Sequence, residues 1–74
     1  MTNPQLEIRI WKDSSIIGKT VEEISNEFNV EMIKVARGAI ATEPPGKKLR
    51  ILEADYITFQ GKNTECVKLL RASG

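Results

Sequence analysis

Residues 14–24 read SSIIGKTVEEI, and two structures compete for them. Gly18-Lys19-Thr20 is how a phosphate-binding P-loop ends, yet the same letters also turn a strand into a helix. Spacing decides between them. The P-loop pattern demands a glycine five positions before Gly18, and that residue is Asp13, whose negative charge repels phosphate. Thr20 and Glu23 instead match a capping box, in which the hydroxyl accepts a backbone N–H of the first turn and the carboxylate reaches back to the cap. A helix therefore starts at Thr20, with Gly18 as the corner before it and Lys19 solvated. Val21, Ile24 and Phe28 fall on one apolar stripe, while Glu22, Glu23, Ser25, Asn26 and Glu27 cover the remainder.

Upstream, residues 6–11 alternate, with Leu6, Ile8 and Ile10 on one face and Glu7, Arg9 and Trp11 on the other, the period of a strand with one wet face. Downstream, Asn29 ends the helix and the branched residues of 30–37 predict a second strand, parallel to the first through a right-handed crossover. Residues 38–42 read as a short strand after a bend at Gly38, and Glu43-Pro44-Pro45-Gly46 as the main loop, since proline gives no N–H to a ladder. Weak alternation over 47–51 suggests another antiparallel strand, 52–55 a tight turn, and 56–60 a strand with Ile57 and Phe59 inward. Gly61 closes that strand, Asn63 is the expected cap of a last helix, and Cys66, Val67 and Leu70 form its expected stripe through Arg71. The order is β-α-β-β-β-α: an α+β fold with a mixed, mostly antiparallel sheet and helices packed on it.

At 74 residues this is one domain, near the size at which a single core is marginal without help, so a partner surface is expected. Hydrophobic residues make up 41% and charged residues 28%, with no run approaching the roughly 20 apolar residues of a membrane span. The opening residues lack a basic region followed by an apolar run, which predicts a cytoplasmic chain. The single cysteine, Cys66, has no internal disulfide partner and reads as packing. A net charge of +1 gives weak attraction to nucleic acid.

The chemistry of catalysis is sparse. There is no histidine, the commonest general base near neutral pH, and Ser14 and Ser15 have no evident activating partner. Glu23 and Glu27 read as a solvated face. One cysteine without histidine does not fill a zinc shell, and Glu53 and Asp55 lack the ligand spacing of a calcium loop. Neither an enzyme nor a resident metal or cofactor is expected. Lys34, Arg37, Lys47, Lys48 and Arg50 are the candidates for anion recognition, with Lys47, Lys48 and Arg50 more in keeping with a solubilising edge. Trp11, Phe28, Tyr56 and Phe59 give no stacking platform, so no nucleic-acid partner is expected.

Taken together, Ser15, Ile16, Gly18-Lys19-Thr20, Val21 and Ile24, then Arg37-Gly38, Pro44-Pro45, and a closing run through Leu52, Ala54, Asp55, Ile57, Phe59 and Gly61 resemble the TrkA-C domain. This is the C-terminal lobe of the family that regulates potassium conductance. The likeness spans about residues 6–71 and departs at Ala54, where the family usually has glycine; if that position needs a positive φ, alanine is strained there. The resemblance implies a regulatory domain of a larger transport protein, homodimeric, at the cytoplasmic face of the membrane beside a transporter or channel subunit. It also implies a small anionic ligand such as c-di-AMP in the dimer cleft, with Met32, Ile33 and Arg37 as ligand-binding positions. Arg37 offers a planar fork for phosphate and the apolar strand surface could pack on a base, whereas Glu31 in the same strand would oppose a dianion. Two rivals are an amino-acid-sensing module of ferredoxin-like shape, disfavoured by the final helix, and a small nucleic-acid-binding protein, disfavoured by the charge.

Overall fold

The computed structural model describes residues 5–74; the first four residues of the leader reading lie outside it. Its elements are β1 (Gln5–Arg9), α1 (Val21–Phe28), β2 (Glu31–Arg37), β3 (Ile40–Thr42), β4 (Tyr56–Gln60) and α2 (Asn63–Ser73), the β-α-β-β-β-α order that the sequence predicts. The capping box is present: Glu23 N–H donates to Thr20 Oγ1 at 3.2 Å and Thr20 N–H donates to Glu23 Oε1 at 2.9 Å. Asn29 ends α1 in the left-handed conformation at φ 54°. Lys19, expected to be solvated, is instead paired with Glu27 across the helix surface.

The sheet order is β1-β4-β2-β3, with every neighbouring pair antiparallel. β1 and β2 thus run parallel to each other, but not as neighbours, because β4 lies between them. The physical reason is burial: β4 carries Ile57 and Phe59, both fully buried, and a central strand covers both better than an edge would. Val21, Ile24 and Phe28 from α1 and Cys66 and Leu69 from α2 join Met32, Val35, Ile57 and Phe59 in one core on a single face of this sheet. Glu7, Arg9, Tyr56 and Gln60 line the opposite face.

Three expectations are corrected. Residues 47–51 form no strand of the sheet; they make one bridge, Thr20 to Arg50, and strap the start of α1. Val21 N–H donates to Leu49 O at 2.9 Å and Glu22 N–H to Lys47 O at 3.0 Å, while Gly18 N–H meets Ile51 O at 2.8 Å. A helix start leaves its first N–H groups without partners, and the extended segment supplies them there rather than to a sheet edge. The stripe of α2 also differs. Leu69 is fully buried, whereas Val67 and Leu70 are 43% and 39% exposed. The helix is capped by Lys62 without a side-chain bond, with Asn63 its first residue, and it buries positions 66, 69 and 73. Its far end is tied to the loop after β1, where Ser14 and Ser15 hydroxyls donate to Ala72 O at 3.0 and 3.2 Å.

Candidate functional site

Arg37 is the last residue of β2 because the chain turns at once: Gly38 takes φ 59° and Arg37 stands opposite Ile40 across a two-residue loop. Glycine at the first central position is what a type II′ hairpin turn requires. A second turn, over residues 52–55, meets Arg37 from the other side. It closes with Asp55 N–H donating to Leu52 O at 3.2 Å and holds Ala54 at φ 71°, the positive φ that a type II turn needs at its third residue.

These two turns build a bidentate ion pair. Arg37 Nε donates to Asp55 Oδ1 and Nη2 to Oδ2, each at 2.8 Å, and Nη2 also donates to Arg50 O at 2.9 Å. Leu52 N–H donates to Asp55 Oδ2 at 2.8 Å. Asp55 is only 1% exposed. Burial by itself raises its carboxyl, but the Arg37 hydrogen bonds, the Leu52 N–H and the guanidinium charge outweigh that and hold it below the usual carboxylate range. The same hydrogen bonds raise the Arg37 guanidinium above its ordinary value. Both groups are charged at neutral pH.

Beside this pair lies a groove of about 190 Å³ lined by Val35, Arg37, Ile40, Thr42 and Leu49. Ile40 is 72% exposed at its rim, an apolar side chain left to solvent on an edge strand. The other two positions expected to bind ligand sit elsewhere. Met32 is buried and borders a separate hollow of about 280 Å³ with Pro45, Lys47 and the outer side of α1. Ile33 is half-buried at a β-bulge, where the register of β2 against β4 slips between Met32 and Lys34. The structure gathers Arg37 with Asp55, Ile40, Thr42 and Leu49, and does not bring Met32 or Ile33 into that groove.

The sequence reading missed Asp55 as the partner of Arg37, and Ile40, Thr42 and Leu49 as its surroundings. The hairpin signal at Gly38 was enough to find Ile40 and Thr42, since it places them across from Arg37 and Val35. Among the described residues there is no group of three or more His, Cys, Asp or Glu side chains placed to hold a metal ion, and no helix long and apolar enough to cross a membrane.

No family model matches the sequence, and no curated protein does. Solved structures do match. The RCK_C domain dimer of S. agalactiae BusR in complex with c-di-AMP superposes with a TM-score of 0.83 at 19% identity, over 97% of this chain and 91% of that one. The RCK C domain of the potassium transport protein KtrA, also in complex with c-di-AMP, gives 0.79 at 13% identity, over 93% and 81%. The fold is that of an RCK_C domain. The TrkA-C resemblance is therefore correct at the level of architecture. S. agalactiae BusR in complex with its promoter DNA gives 0.80 at 20% identity, with 92% of this chain matched to 34% of that one. This corrects the expectation that excluded nucleic acid from the partners: a protein carrying the RCK_C fold forms a complex with DNA. The reasoning from charge and aromatic content concerned this domain's own surface, and a longer protein that contains such a domain has other surfaces.

Proposed function

We propose that this chain is a non-catalytic regulatory domain that pairs with a second copy and takes a cyclic dinucleotide, c-di-AMP, between the two. One observation carries the reading: an arginine fixed at the mouth of an apolar groove, on a fold whose solved neighbours hold c-di-AMP. The groove, at about 190 Å³, is smaller than the roughly 300–1,000 Å³ of a full ligand pocket. It suits half a site. A two-fold symmetric ligand is matched by two such grooves related by the two-fold axis of a homodimer.

In this assignment Arg37 meets a phosphate, Ile40, Val35 and Leu49 pack on the nucleoside, and Met32 and Ile33 lie farther along β2. The domain would sit at the cytoplasmic face of the membrane and gate a potassium or other ion or solute transporter. Gating follows from population shift: the ligand changes its host only by its differential affinity for two dimer geometries. BusR supports a second host, a DNA-bound regulator in which the same domain reads the same ligand.

Titration calorimetry with c-di-AMP, with sedimentation at the same concentrations, tests the reading. Heat from c-di-AMP, lost in Arg37→Ala, together with a dimer that tightens on binding, is the expected result. A folded dimer that gives no heat refutes the ligand, and a chain that stays monomeric with saturating ligand refutes the shared cleft.

A further inference from the structure

Arginine has five N–H donors, and three of those on Arg37 are already engaged. Nε and one N–H of Nη2 go to Asp55, and Nη2 also serves Arg50 O. Nη1 makes no hydrogen bond among the described residues, and the side chain is 44% exposed. A free guanidinium grips phosphate with two parallel N–H bonds and brings a full positive charge. Here the Nε/Nη2 edge is taken, and the buried carboxylate cancels the charge. What remains for a ligand is one nitrogen with two donors at a site whose formal charge is zero.

We propose that Asp55 is a specificity-determining residue, which acts through Arg37 so that the groove accepts a singly charged phosphodiester and disfavours a doubly charged phosphomonoester. The proposal rests on the reading that a cyclic dinucleotide binds at this groove. A phosphodiester carries one negative charge, whereas a monoester carries about 1.5 to 2 near pH 7, with its second ionisation near pH 6. The second charge finds no matching cation in the groove, whose other walls are Val35, Ile40, Thr42 and Leu49. Of the nearby charged side chains, Arg50 donates through Nη1 to Gly18 O at 2.6 Å, and Lys47 borders the separate hollow with Met32. On β2 itself Lys34 lies 3.9 Å from Glu7 and Glu31 accepts from Gln60 Nε2 at 3.0 Å. Lys48 on the strap, Glu43 after β3 and Glu53 in the 52–55 turn are further charged side chains on the elements around the pair, and none is a histidine. Ligand ionisation, not a side chain of the groove, therefore governs discrimination between pH 5.5 and 7.5.

The test compares c-di-AMP with the linear dinucleotide bearing a 5′-phosphate, by calorimetry from pH 5.5 to 7.5, on the full chain and on Asp55→Asn. The expected result is flat affinity for the cyclic ligand and an affinity for the linear one that falls as its phosphate takes a second charge. In Asp55→Asn the linear ligand gains about three- to tenfold relative to the cyclic one, the size of one unit charge acting over several ångströms in a partly solvated site. Circular dichroism establishes that the variant is folded; if it is not, the pH series on the unaltered chain decides alone. Linear affinity that stays level or rises with pH, or a ratio unchanged in folded Asp55→Asn, overturns the proposal while leaving c-di-AMP binding intact. Absence of any heat from c-di-AMP overturns the binding reading itself, and this proposal with it.

Discussion

Replacing Ala54 with glycine is expected to stabilise the fold. Ala54 sits at φ 71°, a conformation forced by the turn that delivers Asp55 to Arg37, and its N–H is held by Ile10 O at 2.8 Å. The left-handed region costs a residue with a Cβ about 1–2 kcal/mol. Glycine removes that strain but loses about 0.5–1 kcal/mol through its greater freedom in the unfolded chain. Because Ala54 is exposed, its methyl group contributes little buried area. Taking the middle of each range, the balance is a gain of about 0.75 kcal/mol, which for a domain of this size raises Tm by about 3–6 °C. Thermal and urea unfolding followed by far-UV circular dichroism read this directly, with the urea midpoint moving at constant slope. Gly38→Ala is the control of opposite sign: φ is 59° there and a Cβ would meet nothing within 4 Å, so any loss is conformational rather than steric. If Ala54→Gly leaves Tm unchanged or lowers it while Gly38→Ala lowers it, the strain argument at Ala54 is refuted.

Arg37→Ala strands a buried carboxylate with the Leu52 N–H as its remaining support, and is expected to destabilise the chain by about 1–3 kcal/mol. Since the Asp55 carboxyl is held below its unfolded value, its contribution is complete above that unfolded value and fades as pH falls through the folded one. Unfolding curves below pH 4 are therefore expected to converge for the two chains, and a constant difference down to the lowest pH would contradict the pairing. Thr20→Ala removes the cap accepting Glu23 N–H and is expected to cost about 1 kcal/mol in the same assays, with α1 amides exchanging faster by hydrogen-exchange mass spectrometry. Leu69→Ala is expected to cost about 2–5 kcal/mol and Leu70→Ala, at the exposed neighbouring position, well under half of that; equal losses would mean that α2 is rotated from the face described.

What was legible in the sequence was what local spacing encodes. Thr20 with Glu23 marked the helix start, Asn29 its end, Gly38 a bend before a short strand and Ile57 with Phe59 the buried side of β4, and each is found there. What was not legible depends on partners distant in sequence. A period-two pattern at 47–51 is the same whether the segment joins a sheet or straps a helix, because it reports an extended chain and not what its N–H and C=O groups meet. In α2, Val67, Leu69 and Leu70 are all apolar, so spacing alone leaves two stripes open, and packing against β1 and α1 selects Leu69. Along β2, the bulge at Ile33 breaks the alternation and lets Met32 and Val35, an odd number apart, both face the core. The Arg37–Asp55 pair joins residues 18 positions apart, and no local signal ties the end of one strand to the turn before another.

That pair also bears on how a ligand signal could leave the domain. Arg37 links β2 to the 52–55 turn through Asp55 and to the strap through Arg50 O, and the strap in turn supplies acceptors to the first N–H groups of α1. Had a phosphate to displace Asp55 in order to bind, it would leave a carboxylate buried at 1% exposure without its counter-charge, the same loss of about 1–3 kcal/mol expected of Arg37→Ala. A ligand engaging Nη1 leaves those bonds intact and avoids that loss. It would then bind without remodelling the fold. The differential affinity that gating needs must in that case arise where two copies meet, from how closely the exposed Ile40 rims approach around a shared ligand. On this argument Ile40→Ser weakens the ligand-bound dimer while leaving the stability of the single domain within about 0.5 kcal/mol, and a fall in stability matching the loss in pairing would place the signal inside the fold instead.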